Sequence, residues 1–256
     1  MISYKELLRK DCLTKPLHSY ILSPLAIRLT KFDDALSSIP GMRLRLAQRH
    51  TIFAASIFLV CVPVFFQAPL VRLLPWVSLF ATGIWLFAGF KLASVPKNAH
   101  WGSLLIGFSW TWLAGSIYWG WLRWEPLLHL PVESIGLPFA LLSLAKRKWI
   151  IGSLFYLGSL LGTAVTDLYF YIVDLIPHWR QLMQADPVVA SQTLHNAIAQ
   201  IQTSWGISWV TLLIGVLLVS GLVPLRYQKL HCWAFSGAVL STILVDGLFW
   251  LAALAA

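Results

Sequence analysis

KRKWIIGSLFYLGSLLGTAVTDLYFYIV, residues 146–173, opens on three cations and then runs for 25 residues with a single charge, Asp167. At about 1.5 Å of rise per residue, a helix of that length exceeds the roughly 30 Å core of a bilayer. The stretch therefore reads as a transmembrane helix anchored at its start by Lys146, Arg147 and Lys148. Six further apolar runs share its character, at 51–67, 73–90, 102–122, 127–145, 206–224 and 233–254. The pattern predicts an all-α polytopic membrane protein with seven transmembrane helices. Composition agrees: 58% of the 256 residues are hydrophobic, 11% are charged, and the mean hydropathy is +0.74, far from soluble globular domains. The run at 127–145 holds Pro131, Glu133, Gly136 and Pro138, which predicts a broken fourth helix.

Orientation follows from the basic residues. With the N-terminus inside, every one of the 19 Lys and Arg except Arg72, Arg123 and Arg180 lies on the inner side. This is the asymmetry that the positive-inside rule requires, and it gives an N-in, C-out topology. The net charge of +9 belongs to these flanks, so the expected partner is the lipid bilayer and no nucleic acid is expected. Residues 1–50 form a cytosolic basic arm, in which Leu25, Leu29, Phe32 and Leu36 recur at helical spacing, as in a helix lying on a surface. The membrane domain occupies 51–256. Its longest outer loop, 174–205, contains Asp186-Pro187 followed by an apolar stripe, which predicts an outer amphipathic helix over about 187–202.

Within the membrane runs, GSLLGTAVTDLYF (158–170) and GAVLSTILVDGLF (237–249) align without a gap. Each places a carboxylate, Asp167 or Asp246, in apolar surroundings, and both fall in the outer half of parallel segments. Ionised groups at such depth are costly and usually face the protein interior. Thr163 and Thr242 stand one turn behind the two acids and are the expected hydroxyl donors. Gly158 and Gly162 form a GxxxG, and Gly237 with Ser241 forms a second small-residue pair, so both helices invite close helix packing. Glu133 on the broken segment is the third membrane carboxylate. Three roles suit these acids: helix-to-helix glue, a proton or cation path, and acid catalysis on a lipid-soluble substrate.

All seven histidines lie outside the apolar runs or at their ends, so no histidine-ligated haem is expected in the bundle. His129, Asp174, His178 and His195 on the outer side form a candidate metal or proton site with Glu133, although Pro131 and Pro177 interrupt the i,i+4 pairs. Three distant cysteines form no CxxC, and no HExxH, GxSxG or phosphate-binding loop is present. Most of the 14 Trp fall near segment ends, as in an interfacial belt, while Trp110 and Trp112 sit mid-segment as core residues or as the wall of a flat apolar site.

WGSLLIGFSWTWLAGSIYWGWLRWEP (101–126), DLYFYIVDLIPHWRQLM (167–183) and LHCWAFSGAVLSTILVD (230–246) resemble an integral-membrane family of unassigned function found in cyanobacteria. The resemblance covers the seven segments and implies a thylakoid or plasma membrane as the address. It brings no catalytic residues and no cofactor. With no reaction motif visible, the leading expectation is a non-catalytic component or assembly factor that docks on a membrane protein partner. The alternative is a small cation- or proton-coupled transporter using the membrane carboxylates, and a membrane enzyme acting on a lipid, quinone or pigment comes third.

Overall fold

The computed structural model describes residues 40–255, so the amphipathic pattern at 25–36 lies outside the described residues. By internal contacts the chain divides into Met1–Gln48 and Arg49–Ala256, and the second unit is the membrane bundle. Every described element is helical. The long helices are α1 (Pro40–Leu73), α2 (Pro75–Ala93), α3 (Ala99–Ile117), α6 (Ile150–Ile172), α9 (Ser204–Leu222) and α10 (Leu230–Ala255). Between α3 and α6 the chain passes through a 3₁₀ turn at Pro126–Leu128, the single α-turn α4 (His129–Glu133), a second 3₁₀ turn at Ser134–Gly136 and then α5 (Leu137–Ala145). This is the broken fourth segment, with Pro138 admitted at the start of α5, where its missing N–H costs nothing.

Two short helices follow α6. The helix expected at 187–202 is present as α8 (Pro187–Ile201). Sequence reading missed its neighbour α7 (Ile176–Gln184), which also begins with a proline in its first turn.

Among the described residues, six stretches are long and apolar enough to cross a membrane: those of α1, α2, the Pro126–Ala145 segment, α6, α9 and α10. The seventh run, α3, falls short because it is rich in Gly, Ser and Trp. More than half of α3 is buried, between α2 and α6, so most of its surface meets protein rather than lipid.

Burial is inverted relative to a soluble domain. Ser56, Ser78, Ser109, Ser116 and Ser236 are fully buried, whereas Phe66, Phe80 and Phe87 are each at least 70% exposed. Small hydroxylated residues inside and large apolar ones outside are what helices packed in lipid require. The larger apolar cluster, around Leu104, Phe108, Trp112 and Phe155, holds α1, α3, α6 and α10 together. Trp112 belongs to it and donates its indole N–H to the Ser78 carbonyl at 2.9 Å, so this residue is core. Beside it the Gln67 amide donates to the Trp112 carbonyl at 2.7 Å and to Ser116 Oγ at 2.8 Å, satisfying a polar group that is 3% exposed.

The two similar stretches lie against each other. A Cβ on Gly158 would stand 2.7 Å from the Phe235 carbonyl oxygen, and one on Gly162 would stand 1.9 Å from Thr242 Oγ1. Four residues further, Thr166 meets Asp246. Equal steps in the same direction make α6 and α10 parallel. Gly237 instead faces α1, where an added Cβ would stand 2.6 Å from the Phe53 carbonyl oxygen, and Ser241 is buried with its hydroxyl on the Ala238 carbonyl. The small-residue faces are thus spent on packing within this chain.

Candidate functional site: a half-buried carboxylate and histidine cluster

The break in the fourth segment positions the site. Pro131 falls within the first turn of α4, where a backbone N–H has no helical partner to lose. One α-turn therefore forms despite the proline, and His129 and Glu133 keep i,i+4 geometry with His129 Nε2 3.9 Å from Glu133 Oε1. The other ring nitrogen, Nδ1, is hydrogen bonded to Asp167 Oδ1 on α6 at 2.9 Å. The Tyr118 ring, itself 2% exposed, packs over the imidazole with centroids 4.3 Å apart.

Asp167 makes that one bond only: its Oδ2 is buried and has no hydrogen-bond partner among the described residues. Asp246 on α10 accepts from Thr166 Oγ1 at 2.8 Å. Asp167 lies close enough to both Glu133 and Asp246 for their charges to interact. The cluster thus gathers three carboxylates, from α4, α6 and α10, near one imidazole.

The expected hydroxyl partners are corrected by this geometry. Asp167 is held by His129 rather than by Thr163, and Asp246 by Thr166 rather than by Thr242. Thr242 instead fills the groove left by Gly162. Interhelical hydrogen bonds in membranes contribute about 0.6 kcal/mol on average and up to about 1.7. Thr166→Val is expected to lower the detergent-solubilised protein's stability by about that range, with Thr163→Val and Thr242→Val smaller, as read from thermal melts of the three variants.

The outer metal set does not assemble. Among the described residues no three His, Cys, Asp or Glu side chains gather as ligands for a metal ion. His195 is exposed, and its Nδ1 donates to the Ser191 carbonyl of its own helix at 2.8 Å. His178 keeps a buried Nδ1 with no hydrogen-bond partner among the described residues, and Asp174 is exposed in a left-handed turn with φ 57°. Only His129 of that group joins the membrane carboxylates.

One end of the bundle near the cluster is closed by α7. Trp179 donates its indole N–H to the Arg123 carbonyl at 2.7 Å, and Arg180 grips both oxygens of Glu125 at 2.8 and 2.9 Å. The Arg180 hydrogen bonds hold the Glu125 carboxyl below its ordinary range. A lowered carboxyl pKa favours the closed form at neutral pH and loses that preference as pH falls through the folded value. Protection of the α7 amides, corrected for the intrinsic pH dependence of exchange, is expected to hold at neutral pH and to fall once the pH drops below the ordinary carboxylate range. Arg180→Gln is expected to show the faster exchange already at pH 7, with the core of α6 unchanged.

The model of a family described as a protein of unknown function (DUF3120) matches residues 56–254. The chain belongs to the DUF3120 family. That match takes in every residue of the cluster, from Tyr118 to Asp246, and both similar stretches. No curated protein and no solved structure matches this DUF3120 chain.

Proposed function

We propose that this DUF3120 protein is a membrane carrier that couples the movement of a cation to protons. The observation that carries the reading is the convergence of His129, Glu133, Asp167 and Asp246 from three helices, with Asp167 Oδ2 buried and, among the described residues, unpartnered. An acid left half-satisfied in such a place is suited to take up and release a proton or a small cation. The broken segment adds support, since irregular backbone at membrane depth is tolerated where it is buried in protein or lines a cavity. A docking or assembly role draws less support from the small-residue faces, because Gly158 and Gly162 pack on α10. The reading takes seven crossings, with α3 as the seventh, an inside N-terminus, and the plasma or thylakoid membrane that the cyanobacterial resemblance implies.

The test is exchange in everted vesicles energised by respiration, followed by acridine-orange dequenching as Na⁺, K⁺, Mg²⁺ or Ca²⁺ is added. At least one of these ions is expected to collapse the proton gradient beyond control vesicles. Asp246→Asn is expected to abolish that response while the protein remains in the membrane. No response to any ion, or a response indifferent to Asp246→Asn, would overturn the reading.

A further inference from the structure

At the end of the bundle away from α7, a cavity of about 490 Å³ opens between the last residue of α2, the start of α3, the turn into α6 and the start of α10. Arg147, Lys229, His100 and His231 line it, together with apolar walls from Trp149 and Leu230. Among the described residues no carboxylate lines it. The composition is that of a site for an amphiphilic anion, in which cations meet the charge and apolar walls meet what carries it.

The backbone strengthens the same preference. α3, α6 and α10 all begin at this cavity, at Ala99, Ile150 and Leu230, so the positive ends of three helix dipoles face it. The N-cap residues of α3 and α6, Asn98 and Trp149, place no side-chain cap on these termini, and Ser103 Oγ takes one α6 amide, that of Gly152. The loop before α6 turns two of its side chains toward the cavity. Arg147 and Trp149 both adopt left-handed backbone, φ 53° and 49°, and both line the cavity, while Lys148 between them does not.

We propose that this cavity binds the phosphate of an anionic phospholipid, with Arg147 and Lys229 on the headgroup and Trp149 and Leu230 against the glycerol and acyl region. The site lies at the opposite end of the bundle from the carboxylate cluster and does not rest on the carrier reading. A free phosphate ester has the same charged group but nothing to place on the apolar walls, so the lipid is the occupant that uses the whole lining.

Native mass spectrometry of the full chain tests this, after incubation with equal amounts of dioleoylphosphatidylglycerol and dioleoylphosphatidylcholine. Wild-type protein is expected to retain the anionic lipid preferentially. Removing two charges at a membrane surface weakens such binding by about thirtyfold, which is the loss expected for Arg147→Gln with Lys229→Gln. The control pair Lys97→Gln with Arg226→Gln removes equal charge at the same end from residues that do not line the cavity, and it should keep the preference. Lys229→Gln alone, expected to lose about fivefold, serves if the double variant fails to run as a single size-exclusion peak. Equal retention of the two lipids, or equal loss in both double variants, would overturn the proposal. Displacement of the lipid by millimolar glycerol phosphate would overturn the lipid assignment and move the site to a soluble phosphate ester.

Discussion

Gly152→Leu is expected to yield no folded, monodisperse protein. A Cβ on Gly152 would stand 1.8 Å from the Ser103 carbonyl oxygen, and one on Gly107 would stand 2.1 Å from the Gly152 carbonyl oxygen. The obstacle on each side is backbone, which has no rotamer by which to move away. A side chain can be accommodated only by pulling α3 off α6, which breaks the Gly152 amide's bond to Ser103 Oγ at 3.0 Å and loosens Leu104, Phe108 and Phe155. Ordinary overpacking costs about 1–3 kcal/mol, and a backbone clash along a central interface belongs above that, at about 4 kcal/mol or more. Gly152→Ala is expected to fold with a strongly lowered melting temperature. Gly83→Ala and Gly215→Ala face open space and should be neutral, or stabilising by up to about 1 kcal/mol through helix propensity. Size-exclusion profiles and melts of these four variants check the contact, and a Gly152→Leu protein with wild-type behaviour would contradict it.

His129→Gln is expected to stop proton-coupled exchange while leaving the bundle folded. The imidazole is the one group that reaches two carboxylates, Asp167 at 2.9 Å and Glu133 at 3.9 Å, through its two ring nitrogens. Because protonation at one nitrogen is linked to release at the other, the ring can pass a proton between acids on different helices. Glutamine keeps a donor for Asp167 but cannot be protonated and released in this way. Proton transfer by a positioned side chain contributes about 10²–10⁴-fold, so the exchange rate should fall at least about 100-fold. Melting temperature should stay within a few degrees of wild type. Exchange that persists in His129→Gln would remove the imidazole from the proton path and leave it a structural role.

The apolar runs were legible because lipid demands length and apolarity, and the break in the fourth segment because Pro131, Gly136 and Pro138 are local signals. Asp186-Pro187 announced α8 in the same way. What could not be read was which helix faces which. Thr242 and Asp246 satisfy a one-helix rule, yet the donor arrives from Thr166, eighty positions away, because α6 and α10 lie parallel in a register that no local pattern encodes. The same limit hid the Gly107 to Gly152 contact, although both residues stood in plain view as glycines within apolar runs. The proline at 131 was given too much weight against the His129–Glu133 pair, and the joining of His129 to Asp167 is another interhelical contact that no local pattern encodes. α7 was read as loop because, at nine residues, it is too short to show a clear period.

The burial of α3 bears on how the chain is made. A stretch rich in Gly, Ser and Trp gains little by leaving the translocon for lipid on its own, whereas α2 before it is apolar enough to do so. The short connection at 94–98 delivers α3 as the second arm of a hairpin, and Gly102 lets it settle directly against the end of α2, where an added Cβ would stand 2.2 Å from the Ala93 amide nitrogen. Release of α2 into the bilayer before α3 has been synthesised would strand the second arm at the interface. On the seven-crossing topology proposed above, the sidedness of every later loop, including the cationic turn at 146–149, is inherited from a step that two helices take together.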